Sequence, residues 1–191
     1  MLDKNEFGEI RKEMEEVETK RELLIQKSRE IIKLSKLIIY SLHRNDLKDA
    51  SRNISHIKKE KNMLEKISKK RLDTDMNKVA MQEYVEALCY YGFITNNKIP
   101  TKSSLKVDTE DYLLGLCDLT GELGRRAVMD VINKKFEDAL RIKELVEEIY
   151  GEFLKFNLRN SELRKKSDSI KWNLKKLEDI IFDITIKGKL K

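Results

Sequence analysis

Apolar side chains recur every three or four positions along almost the whole chain. Leu24, Ile31, Leu34, Ile38 and Leu42 mark one face of a stretch from about Lys4 to His43, and that period predicts one long amphipathic helix. The run RNDLKDA interrupts it: Asn45 and Asp46 bring turn and N-cap chemistry, and a second helix is predicted to about Lys70. A third is expected over roughly Asp75 to Ile94. The segment TNNKIPTKSSLKVD then gathers the only proline with Asn, Ser and Thr, and reads as loop. Asp108 and Thr109 cap a fourth helix, while Ile142, Val146, Ile149, Phe153 and Phe156 stripe a fifth. NLRNS turns the chain, and Ile170, Leu174, Leu177, Ile181 and Ile184 stripe the last helix. No strand pattern competes. The expected fold is all-α, a single domain over residues 1–191 built as an elongated bundle of about six or seven helices. A 40-residue helix reaches about 60 Å at 1.5 Å per residue and outruns a domain of this size, which leaves surface for oligomerisation.

Composition sharpens the setting without changing the fold. The 191 residues include 40 basic and 34 acidic side chains, a formal charge of +6, so the surface is dense in both signs and admits a polyanionic partner without demanding one. No apolar run of 18 residues and no basic-then-apolar leader occurs, so the chain is expected to be cytoplasmic, with no membrane partner. Cys89 and Cys117 match no zinc spacing and read as small buried apolar residues.

Two acidic pairs fit a plain bundle poorly. In VAMQEYVEALCYY, Glu83 and Glu86 are three apart and share one helical face with Val79, Ala87 and Tyr90. In DYLLGLCDLTGELGRR, Asp118 and Glu122 are four apart, flanked by Leu114 and Arg125. Like-charged acids on apolar faces persist where a cation compensates them, and four carboxylates from two helices suit Mg²⁺ or Mn²⁺, which activates water beside a phosphodiester. Salt-bridged surface acids are the competing explanation in so charged a chain. Glycines bear on the geometry. Each costs about 1 kcal/mol in a helix relative to Ala, and Cys117, Gly121 and Gly124 form a small-residue strip that would let the Glu83 and Glu86 helix come close.

These same stretches carry a resemblance. QEYVEA at 82–87 and DYLLGLCDLTGEL at 111–123 resemble the most recognisable motifs of the translin and TRAX family. SREIIKLSKLIIYSLHR, ending at Arg44, resembles the first helix of TRAX, and residues 157–188 resemble the C-terminal helices of translin. The pattern is most similar to an archaeal, single-gene TRAX-like protein, although the segment between the acidic motifs is much shorter than in animal TRAX. The resemblance implies a translin-like helical fold assembling into hollow octamers. It also implies a metal-dependent endoribonuclease in which Glu83, Glu86, Asp118 and Glu122 are both catalytic and metal-binding, with Mg²⁺ (or Mn²⁺) as cofactor and RNA as substrate. Translin itself binds RNA and single-stranded DNA and largely replaces these acids by apolar residues.

RNA binding also has a basis in charge. Residues 56–71, HIKKEKNMLEKISKKR, hold seven Lys or Arg against two Glu, and Lys58 and Lys59 there, with Arg44 and Arg52 before them, are candidate phosphate contacts. Arg125 and Arg126 follow Glu122 by about one turn and are placed to hold a scissile phosphate. His43 and His56 form no helical ligand pair and are given no metal role. Trp172, Tyr90 and Tyr91 are expected in the core rather than as base-stacking platforms. Three readings follow: a metal-dependent endoribonuclease, a non-catalytic RNA- and single-stranded-DNA-binding oligomer of translin type, and a helical scaffold.

Overall fold

The structure is a computed structural model that describes residues 2–68, 75–159 and 161–189. Within them the chain forms seven helices and no strand: α1 (Lys4–His43), α2 (Leu47–Ser68), α3 (Asp75–Asn96), α4 (Lys102–Leu105), α5 (Thr109–Ile132), α6 (Phe136–Phe153) and α7 (Glu162–Ile186). The expected end of the second helix near Lys70 lies outside the described residues. The predicted loop contains one added turn, α4, capped by Thr101, whose side chain accepts from the Ser104 amide.

Local chemistry sets the helix ends. Asp3 caps α1 by accepting the Asn5 and Glu6 amides. Asn45 takes the left-handed conformation, φ 59°, and Asp46 accepts the Asp49 amide, so the expected turn and cap fall on these two residues. Lys134 in the left-handed region (φ 61°) breaks α5 from α6, and Ser161 caps α7.

The helices pack in sequence across the molecule. α1 lies between α2 and α3, α3 packs on α5, and α5 meets α6 and α7, which also pack on each other. All five apolar residues read from the first stripe, Leu24 to Leu42, are buried, and Ile142, Val146, Ile149 and Phe153 point inward from α6. Phe156 does not. It lies past the end of α6, exposed, with its ring edge-on to Phe153 at 5.9 Å. Trp172, expected in the core, is 61% exposed on α7 because the buried stripe of that helix runs through Ile170, Leu174 and Leu177. Cys89 and Cys117 are buried free thiols, and burial pushes both up to about 12. Among the described residues no helix is long and apolar enough to cross a membrane.

Candidate active site at the junction of α1, α3 and α5

One glycine sets the distance between the acidic helices. Gly115, Asp118 and Glu122 share a face of α5, and Gly115 meets α3 so closely that an added Cβ would lie 2.6 Å from Val85 Cβ and 2.8 Å from the Gln82 carbonyl oxygen. The expected strip of Cys117, Gly121 and Gly124 does not play this part. A Cβ on Gly121 would meet only the Asn173 side chain of α7, at 3.9 Å, and one on Gly124 would meet nothing within 4 Å. The reason is helical phase: residues 117, 121 and 124 point to a different side of α5 from 115, 118 and 122.

The approach brings the four sequence-predicted carboxylates into one electrostatic unit. Glu86 is buried on α3, and its carboxyl is pushed up to about 8, first by burial and then by the charges of Asp118, Glu83 and Glu122. Glu83, half-buried, is also raised by burial, while the nearby Lys36 ammonium opposes the shift. Glu122 moves the other way. Its Oε2 lies 2.5 Å from His43 Nε2, and that hydrogen bond holds it below the usual carboxylate range against the effect of burial. Two acids on neighbouring helices are thus driven in opposite directions by their surroundings.

Asp118 has a different neighbour. Lys166 of α7 donates from Nζ to Asp118 Oδ2 at 2.6 Å and reaches the Gln82 side-chain oxygen at 3.5 Å. Behind His43, the Tyr90 hydroxyl sits 3.3 Å from Nδ1, so the imidazole is gripped from both sides. The donor set is four carboxylates, hard oxygen ligands whose mutual repulsion a divalent cation would relieve. Among the described residues, however, no three His, Cys, Asp or Glu side chains are arranged to hold an ion together. Lys166 and His43 are the partners of Asp118 and Glu122 in this arrangement.

A cleft of about 760 Å³ opens onto the cluster between α1, α3 and α5. Glu83, Glu86 and Glu122 line it with the exposed cations Arg29, Lys33, Lys36 and Arg125. Arg125 thus lies in the cleft lining, with its Nη1 3.8 Å from Glu122. The remaining candidate phosphate contacts lie elsewhere. Arg44, at the end of α1, covers the ring of Tyr40, which lines the cleft. Arg52, paired with Asp49 at 3.7 Å, and Lys58 and Lys59 are exposed on α2, outside the cleft lining. Within the same basic stretch Lys61 turns inward to Glu65 and the Lys106 carbonyl, Glu60 is buried, and residues 69–71 lie outside the described ones.

Arg126 corrects the sequence expectation outright. It is buried, with Nε donating to both carboxylate oxygens of Asp130 at 3.1 Å and Nη1 to the Leu42 carbonyl and to Asn45 Oδ1. Buried and bonded in this way, it ties α5 to the turn after α1 instead of facing the cleft. Arg126→Met strands the buried Asp130 and should cost about 3 kcal/mol of stability; urea denaturation measures the loss, and an RNA-binding residue would show none.

Reasoning from sequence missed His43, Lys166 and the basic face of α1. Arg29, Lys33 and Lys36 are spaced four and three apart on a face adjacent to the buried stripe, which is a readable signal. His43 ends that same helix. Lys166 carries no such signal, since 48 residues separate it from Asp118.

The fold and the sequence both have known relatives. The profile of the Translin family matches residues 19–188. Chicken (Gallus gallus) translin is 39% identical over 82 residues, which is 43% of this chain and 36% of that protein, so the chain spans about a third of the translins it matches. Translin-associated protein X of Pongo abelii is 26% identical over 227 positions, covering 95% of this chain and 78% of that one. An uncharacterised protein of Methanocaldococcus jannaschii is 29% identical over 152 residues, 78% of this chain and 68% of its own length. Among solved structures, apo-NeC3PO superposes with a TM-score of 0.89 at 32% identity, covering 95% of this chain and 97% of that one. AfC3PO in complex with duplex RNA gives 0.82 at 28% identity, with 95% and 97% covered.

Proposed function

The chain belongs to the translin family, and from that premise we propose that it is a Mg²⁺-dependent endoribonuclease of TRAX type, acting on single-stranded or small duplex RNA within a homo-oligomer. The observation that carries the reading is the cluster itself: four carboxylates from two helices that Gly115 lets approach, three of which, Glu83, Glu86 and Glu122, line a cleft shared with four cations. A relative of the same fold, AfC3PO, has been solved with duplex RNA, which supplies the ligand class.

Glu83, Glu86, Asp118 and Glu122 would hold Mg²⁺ or Mn²⁺, which when bound supplies a water of lowered pKa and charge to offset the phosphate. The chain's own residues do the rest. Arg29, Lys33, Lys36 and Arg125 bind the phosphates at the mouth of the cleft, where their charge is unburied. His43, fixed by Tyr90, orients Glu122 and keeps it ionised. Lys166 holds Asp118 at the other end of the cluster.

One observation favours the second reading, a non-catalytic RNA- and single-stranded-DNA-binding protein: Asp118 and Glu122 already have internal partners, Lys166 and His43. Incubating labelled RNA with the purified chain in Mg²⁺, Mn²⁺ or EDTA separates the two. Metal-dependent cleavage is expected, and RNA that is bound but left intact in every condition selects the translin-type role. Replacing Lys33 and Lys36 by Glu should weaken RNA binding about tenfold at 0.1 M salt and flatten its salt dependence. Unchanged affinity would remove the α1 face from the binding surface.

A further inference from the structure

Among the described residues, nothing buries the first half of α1. No residue from 2 to 23 is buried, and most of this arm precedes residue 19, where the match to the family begins. Yet the arm is not polar all round. Phe7, Ile10, Met14 and Val17 are 46%, 43%, 65% and 44% exposed, and with Arg21 and Leu24 they follow a strict three-four spacing. That is a heptad seam, with Phe7, Met14 and Arg21 at one core position and Ile10, Val17 and Leu24 at the other. The seam continues directly into the molecule's core, because Leu24 is fully buried and Lys27 is anchored on Glu60 at 2.8 Å.

The flanking charges say what covers it. We propose that two copies of this chain pair through these arms as an antiparallel coiled coil centred between Met14 and Val17. Setting Met14 against the second copy's Val17 places Arg11 beside its Glu18 and Glu13 beside its Lys20, and two-fold symmetry repeats each pair. The flanking contacts at the centre of the seam are then all between opposite charges. A parallel pair instead sets Glu13 beside Glu18, acid against acid, at the same place. Arg21 faces Ile10, which its aliphatic stem covers while the guanidinium stays in water. The ion pairs these residues make within one arm, Lys20 with Glu16 at 3.4 Å and Arg21 with Glu18 at 3.8 Å, are solvent-accessible and do not compete strongly.

The pairing is tested on the full chain by cross-linking. Cys89 and Cys117 are buried and give no background. Met14→Cys and Val17→Cys chains are prepared separately, mixed and oxidised, and linked peptides are identified by mass spectrometry. The antiparallel arm predicts, as the dominant product, a disulfide joining position 14 of one variant to position 17 of the other. Links of 14 to 14 and 17 to 17 would show a parallel pair, and no link at all would show that something other than a second copy covers the seam; either overturns the proposal. In the same mixture, adding Glu13→Lys or Lys20→Glu to both chains should cut the link yield about tenfold, and adding both should restore it. A double reversal that stays defective, or single reversals without effect, would contradict the register. None of the four substituted positions is buried, so circular dichroism should show the helices unchanged.

Discussion

Glu86→Gln should abolish RNA cleavage, by about a hundredfold or more, and at the same time make the metal-free protein more stable. The two effects share one cause. Burial and three neighbouring carboxylates push Glu86 up to about 8, from 4.5 in a solvated chain. The folded state therefore binds the Glu86 proton more tightly than the unfolded state does, and stability falls as pH rises from 4.5 through about 8. Below 4.5 both states are protonated and Glu86 costs nothing; above 8 the cost is constant. Glutamine keeps the shape and hydrogen-bonding capacity of the neutral acid and cannot ionise. In EDTA, the melting temperatures of Glu86→Gln and the parent chain should coincide near pH 4.5 and separate progressively toward pH 8, with the variant gaining on the order of 2 kcal/mol. RNA affinity should hold within about twofold, since the cations that line the cleft are untouched. A variant that cleaves normally refutes the catalytic assignment. One whose melting curve tracks the parent at every pH refutes the strained cluster independently, because that readout contains no RNA.

The helices were legible because their signal is local. A 3.6-residue period of Leu, Ile and Val needs only neighbouring residues to be read, and Leu24 to Leu42 or Ile170 to Leu177 fall inward as the period requires. The two acidic pairs are legible for the same reason, each lying within about one turn of a helix. What bridges helices was harder. Arg126 and Arg125 are adjacent and chemically identical, yet one is sealed against Asp130 and Asn45 while the other lines the cleft, because a step of one residue turns a side chain by about 100°. Lys166 reaches Asp118 only after α7 has packed on α5, a contact no spacing encodes. His43 has no second histidine at helical spacing to mark it, because its partners are a carboxylate and a tyrosine from α5 and α3. The glycines obey the same rule. Three of them in ten residues announced a close helical contact, but only the phase of α5 decides which one makes it.

That phase yields the second large effect. Gly115→Ala should destabilise the chain by about 2–4 kcal/mol even though alanine is the better helix former by about 1 kcal/mol. The new methyl would fall 2.6 Å from Val85 Cβ and 2.8 Å from the Gln82 carbonyl, both fixed to the backbone of α3, so no rotamer change relieves it. Only separation of the two helices can, and separation moves Asp118 and Glu122 away from Glu83 and Glu86. Cleavage should therefore fall more steeply than the folded fraction accounts for, as catalysis depends on sub-ångström placement. Gly124→Ala is the matched control: the same methyl on the same helix meets nothing within 4 Å and should add about 0.5–1 kcal/mol of stability with activity unchanged. Equal responses from the two variants would mean that glycine serves α5 through backbone flexibility alone. A loss confined to Gly115→Ala would mean that a missing methyl group holds the two acidic pairs at working distance.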